Sequence, residues 1–354
     1  RGARSFAGGP RVTGALTWAR LSYRQQKWEL LLVVIGVVGL TAGMVWFATT
    51  LTALRDASPE CLAGLSPGFA SPAEEGPPAA CQAFLTEYYE TESWASNLTN
   101  LAWVAPFGMG VILGGPLVAR EIDGGTAQLA WSLSRSRVGW LLRRIAFVSL
   151  FGLALLAIIA IGSELLTAAI FPDRSLEEDF LWFGRGGVPI VARGVGAILL
   201  GVLVGAVIGR VLPAVLLSIL VIGLSFTGIS LALDQVNRSD ATLRPMYAGP
   251  GEPQPFDPAD LQVAFGIERT DGQFMSYGEA FDRGLTPTFT NESGQLLEWE
   301  AALRAGDPIG RDAMLVIAGE KYPLLVLRDS AVAIVVGLAA LALSALVVVR
   351  RRPS

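Results

Sequence analysis

The sequence holds no histidine and two cysteines among 354 residues, which narrows the available chemistry at once. Without histidine there is no HExxH zinc site, no Ser-His-Asp triad and no imidazole proton relay. Two cysteines make no zinc cluster, and no GxxxxGK[ST] stretch exists to cradle a nucleotide phosphate. No catalytic centre is expected in this chain. Three constellations remain. Cys61 and Cys81 lie twenty residues apart in a Pro-, Glu- and Ala-rich segment. Glu164 and Arg193 each interrupt an apolar run. The stretch GGPLVAREIDGGTAQLAWSLSRSRVGW, Gly114 to Trp140, passes from an uncharged run into a charged stretch punctuated by glycines.

The elements that must position these residues follow from composition. The chain is 52% hydrophobic and 16% charged, whereas soluble domains carry about a quarter charged residues. Crossing a hydrocarbon core takes about 20 apolar residues in helix. Six runs qualify: Glu29–Leu54, Asn97–Val118, Trp140–Phe171, Val188–Leu212, Pro213–Val236 and Arg328–Val349. An all-α polytopic membrane protein with six transmembrane helices is therefore expected. The first run exceeds a signal-peptide core of about 7–15 residues and follows a basic segment, so it reads as a span, with a cleaved signal as the alternative. The chain opens on Arg1, and a trimmed start is expected.

Lys and Arg set the expected orientation. With both termini inside, the inner segments gather the basic residues before the first run, Arg120 to Arg144, Arg210 and Arg350, Arg351 and Arg352. Against them stand only Glu29, Glu121 and Asp123. Most acids then lie outside, so the positive-inside rule gives an N-in, C-in topology. Because the two faces differ in sign, the net charge of −4 carries no argument for nucleic acid, and none is expected as a partner.

The chain then divides into four parts. Residues 1–28 form a cytoplasmic segment in which 12–27, VTGALTWARLSYRQQK, reads as an interfacial amphipathic helix or a plain stop-transfer flank. Residues 29–236 hold the first five spans, the outer loop 55–96 and the inner loop 119–139. Residues 237–327 read as a small extracytoplasmic cap, Pro-rich at first and helical around Leu296–Leu303. Residues 328–354 are the last span and a basic tail. Gly201, Gly205 and Gly209 recur every four residues, as do Gly39 with Gly43 and Gly110 with Gly114, a spacing that lets membrane helices approach closely.

Cys61 and Cys81 share the outer loop, so a disulfide is expected over two free thiols. Glu164 and Arg193 fall at similar depth on consecutive spans. An ion pair between them is expected, as an outer gate, as a static brace, or replaced by separate snorkelling to the interface. In the inner loop, Gly124-Gly125 permits a turn and Thr126 is suited to cap a short helix lying outside the lipid.

That inner loop resembles the first cytoplasmic loop of ABC-2 type permeases, the membrane subunits of ATP-binding cassette exporters, and especially their actinobacterial branch. The family pattern is Glu, three residues, Gly-Thr, nine residues, Ser-Arg, and a basic residue seven further on. Glu121, Gly125, Thr126, Ser136, Arg137 and Arg144 match it, and GGPLVARE with Leu129–Trp131 extends the likeness. Ser134 stands where many members have proline. The resemblance implies that Arg120 to Arg137 carry a coupling helix docking on a separate P-loop ATPase. It implies two ATPase subunits per complex, binding ATP and Mg, with no cofactor in this chain. It also implies a homodimer or a heterodimer with a homologous permease in the bacterial plasma membrane, exporting an amphipathic or hydrophobic substrate. A membrane sensor or scaffold whose outer cap binds a ligand is the alternative.

Overall fold

The computed structural model describes residues 15–62, 79–133, 136–172, 180, 183–246, 260–269, 272–282 and 311–351. Among the described residues, six helices are long and apolar enough to cross a membrane. The first, α1 (Ala15–Ala57), is continuous for 43 residues, or about 64 Å. That is twice a hydrocarbon core. Residues 15–27 thus prolong the first span, and no separate interfacial helix exists there. No glycine, proline or cap interrupts the chain at that point, so nothing turns it into the membrane plane.

A short helix α2 (Pro59–Leu62) leads to α3 (Ala79–Met109), which begins well before the expected second span. Much of the loop 55–96 is therefore helix. A Cys61–Cys81 disulfide, with Cα atoms 5.5 Å apart, staples α2 to the start of α3. Closing this loop should stabilise it by about 3 kcal/mol. Neither thiol should react with a maleimide before reduction, and full alkylation of the unreduced protein would refute the bond.

Pro106 interrupts the hydrogen-bond ladder of α3, and a π-helical turn, Gly110–Gly114, follows. The chain continues as α4 (Gly115–Asp123), with Pro116 in its first turn. A second helix crosses this turn: α7 (Gly187–Ile208), which follows α5 (Thr126–Leu133) and α6 (Arg137–Ile170). A Cβ on Gly110 would stand 2.6 Å from the Ala197 carbonyl carbon, and Gly201 meets Gly114 and the Gly110 carbonyl in the same way. Gly205 lies against the Gly115 carbonyl. Here the glycines allow backbone-to-backbone contact, and the partner of the α7 stripe is the π turn. Gly209 does not extend that stripe. It ends α7 in a left-handed conformation (φ 68°), its amide donating to the Gly205 carbonyl.

α7 is the central helix, with 78% of its span buried, against 22% for α1 and for α8 (Val211–Arg238). The outer helices bury narrow stripes, such as Ala214, Ser218, Ile222 and Phe226 of α8. They leave Leu212, Leu216, Ile219 and Leu224 to the lipid. A membrane solvent makes this arrangement stable, since lipid tails are as apolar as leucine.

Between α8 and the last helix the segment forms a four-stranded antiparallel sheet that sequence patterning did not suggest. Its strands are β1 (Thr242–Pro245), β2 (Leu261–Glu268), β3 (Phe274–Ser276) and β4 (Arg311–Ile317), ordered β1-β4-β2-β3. A short helix α9 (Tyr277–Asp282) follows β3. The expected helical pattern around Leu296–Leu303 lies outside the described residues. Ile317 packs with Phe180 and with Leu325 of α10 (Tyr322–Arg350), seating the sheet on the bundle. Asp260 fixes it further, accepting from Arg244 at 2.8 Å and from the Gly319 amide at 3.0 Å. Burial pushes the Asp312 carboxyl above the usual range, opposed by the hydroxyl of Tyr277 donating at 2.8 Å.

Candidate functional site

At the end of the bundle opposite the sheet, the stretch from Arg120 to Arg144 folds as three pieces. α4 carries Arg120, Glu121 and Asp123 and stops at the glycine pair. The Gly124 amide donates to the Arg120 carbonyl at 2.9 Å and the Gly125 amide to Ile122 at 3.2 Å. Gly125 takes φ 67°, where a side chain would be strained. α5 follows, and α6 begins at Ser136, whose hydroxyl accepts from the Gly139 amide at 3.0 Å. Ser136 is the N-cap that a serine in extended conformation makes. Ser134 lies outside the described residues.

Thr126 is not the cap expected of it. Its hydroxyl turns back and donates to a carboxylate oxygen of Glu121 at 2.5 Å. The other Glu121 oxygen meets the guanidinium of Arg144 at 2.8 Å, with side-chain exposures of 6% and 8%. Arg144 also donates to the Leu117 carbonyl at 3.4 Å and lies 5.5 Å from the ring centre of Trp140. Glu121 and Arg144 are therefore a buried ion pair, with Thr126, itself exposed, hydrogen-bonded to it from the surface. A buried charge is tolerable when paired and hydrogen-bonded, and Glu121 has both.

Four more contacts fasten this stretch to the spans. Arg120 pairs with Glu29 of α1. Asp123 accepts from the Val211 amide at 3.2 Å, a carboxylate placed at the positive N-terminal end of α8. Arg137 donates to the carbonyls of Val349 and Arg351 at 3.2 and 2.9 Å, its guanidinium 4.9 Å from the Trp131 ring. Arg351 donates to Ala206 at 2.7 Å, closing the C-terminal end of α7. The stretch is thus bolted to α1, α6, α8 and α10. A segment so fixed moves with the helices as a body, because packed interfaces shift between discrete arrangements and do not bend continuously.

The Glu164–Arg193 pair does not form. Arg193 is buried and turns to α10, its Nε donating to Asp329 at 3.0 Å and its Nη1 to the Gly184 carbonyl at 3.0 Å. Glu164 is exposed on the surface of α6, beside Gly186 and Gly187, and meets no cation among the described residues. Depth matching was sound, but facing decided the partner. Glu164 shares the lipid-facing side of α6 with Ile161 and Leu165, where a carboxylate can snorkel outward. Sequence reading missed Asp329. It lies on the stripe Leu325, Asp329, Ala333, Gly337, the four-residue spacing of a buried helix face. An acid on a stripe of small residues was the available signal.

Six apolar helices among the described residues, the central one glycine-lined, with a braced loop at one end, define a multi-pass membrane protein. A sequence model of the family described as ABC-2 membrane transporter related matches residues 33–233, more than half the chain, and the protein belongs to this family. It is a membrane component of an ATP-binding cassette transporter in the bacterial plasma membrane, and that component is not catalytic by itself. The matched span runs from α1 into α8, so the sheet and α10 lie beyond it. Neither a curated protein nor a solved structure matches the chain.

Proposed function

We propose that the protein is the permease subunit of an exporter, powered by a separate ATPase that docks on α5 and its flanking turns. The observation carrying this reading is the buried Glu121–Arg144 pair, with Thr126 bonded to it, together with the ties from the same stretch to four helices. A docking loop that merely floated would dissipate the movement of its partner. One bolted to the spans transmits it. Two permease subunits, identical or homologous, would each receive one ATPase, placing this end of the bundle in the cytoplasm. A cavity between spans poor in charge suits an amphipathic or hydrophobic cargo.

The turn at Gly125 provides the test. Proline cannot take a positive φ, so Gly125→Pro must redirect α5. The full chain would be co-expressed with a candidate ATPase and reconstituted. The variant should insert and keep its disulfide, yet lose stimulated hydrolysis and transport. Wild-type hydrolysis and export by Gly125→Pro would remove the docking assignment.

A further inference from the structure

Between the ends of α7 and α10, at the same end of the bundle as the braced loop, lies an open groove of about 480 Å³. Val207, Leu343, Leu346 and Val347 line it, and Arg350 and Arg351 stand at its mouth. Val207, Leu343 and Leu346 are each about half exposed, at 53%, 51% and 52%. In a chain that spans a bilayer, such an apolar groove faces acyl chains, and its boundary with water is marked by the two arginines.

The charge balance there is uneven. Glu29 is taken by Arg120, Glu121 by Arg144, and Asp123 is directed to the Val211 amide. Arg350 has no carboxylate partner among the described residues. Arg351 spends one nitrogen on the Ala206 carbonyl, and a guanidinium has five N–H donors. Its guanidinium also packs against Gly209, the residue before exposed Arg210. Unneutralised guanidinium groups above an apolar groove complement a phosphate ester attached to a hydrocarbon chain. Planar, forked donors suit such a phosphate better than a lysine would.

We propose that this groove is a binding site for an anionic phospholipid. The acyl chain lies along Val207, Leu343, Leu346 and Val347, and the headgroup phosphate is held by Arg350 and Arg351. The second copy of the chain that could also cover an apolar face is less suited, because two such mouths would bring four arginines together. The site adjoins the braced loop. Arg137 donates to the carbonyl of Arg351, so the lipid would rest on the residue to which the loop is tied.

The test uses the purified full chain in detergent, titrated with phosphatidylglycerol or phosphatidylcholine of identical acyl chains and read by native mass spectrometry. Phosphatidylglycerol should be retained about 25-fold more tightly, since each of the two arginines near an anionic headgroup contributes about fivefold. Arg350→Gln should lower phosphatidylglycerol retention about fivefold and phosphatidylcholine retention less, since choline offsets the charge of the same phosphate. Because Arg350 makes no side-chain hydrogen bond or ion pair among the described residues, this variant should fold even if Arg351→Gln does not. Leu346→Trp, which fills the groove, should reduce retention of both lipids. Equal retention of the two lipids by the wild type, or unchanged retention by Arg350→Gln, would overturn the site. So would a Leu346→Trp variant that retains lipid normally but shifts the ratio of one copy to two, which would make the groove an interface between copies.

Discussion

Glu121→Ala should destabilise the protein by about 3–5 kcal/mol, because it removes a carboxylate paired with the buried guanidinium of Arg144. Thr126 loses its carboxylate acceptor in the same step and keeps only the carbonyl of residue 121, at 3.3 Å. The loss is read as a fall in the unfolding midpoint of the full chain in detergent. Replacing Glu121 and Arg144 together with apolar residues should recover much of it, since the pair's desolvation cost disappears along with its attraction. Glu29→Gln is the contrast. The Arg120–Glu29 pair is partly exposed, at 39% and 22%, so breaking it should cost about 0–1 kcal/mol. Equal losses from Glu121→Ala and Glu29→Gln would show that burial does not set the strength of the brace. This prediction also alters what a coupling defect would mean. A Glu121 variant that fails to transport has lost local structure, whereas Gly125→Pro tests docking with the Glu121–Arg144 pair in place.

Asp329→Asn and Arg193→Gln should each cost about 3–5 kcal/mol, and the double variant less than the sum of the two. Glu164→Gln should change stability by less than about 0.5 kcal/mol, as expected for an exposed site without a partner. The measurement is a double-mutant cycle on the unfolding midpoint. Additive losses from Arg193 and Asp329 would mean that the two side chains do not interact. A large loss from Glu164→Gln would restore it as the partner of Arg193. Asp329 lies in the second turn of α10, directly after the residues that seat the sheet. The pair therefore joins the central helix, the last helix and the sheet at one point. Arg137 holds the opposite end of α10, so the last helix is fixed at both ends to functional elements.

The sequence by itself determined the solvent, and the solvent determined the class. Runs of about 20 apolar residues admit only helix in hydrocarbon, because every backbone amide must be satisfied within its own segment. For that reason all six spans were legible as runs, the third, fourth and fifth to within a few residues, whereas α1, α3 and α10 begin before theirs and the break expected between Leu212 and Pro213 falls at Gly209-Arg210. The disulfide was legible from a shared loop. In the loop from Arg120 to Arg144 the turning glycines and a short helix after them were legible, whereas the cap at Ser136 was not read. Tertiary structure decided which faces meet. Glu164 and Arg193 lie at similar depths, yet a helix presents its side chains all round and depth says nothing about azimuth. Packing around α7 turned Arg193 to α10 and left Glu164 to the lipid side. The same limit hid the role of Thr126, whose sequence position suits a cap but whose hydroxyl found a buried carboxylate. It also hid the sheet. Short strands joined across long connections owe their pairing to residues far apart, as Leu243 opposite Leu315 shows. No local pattern records such a register, since the energy that fixes it arises only when the strands come together.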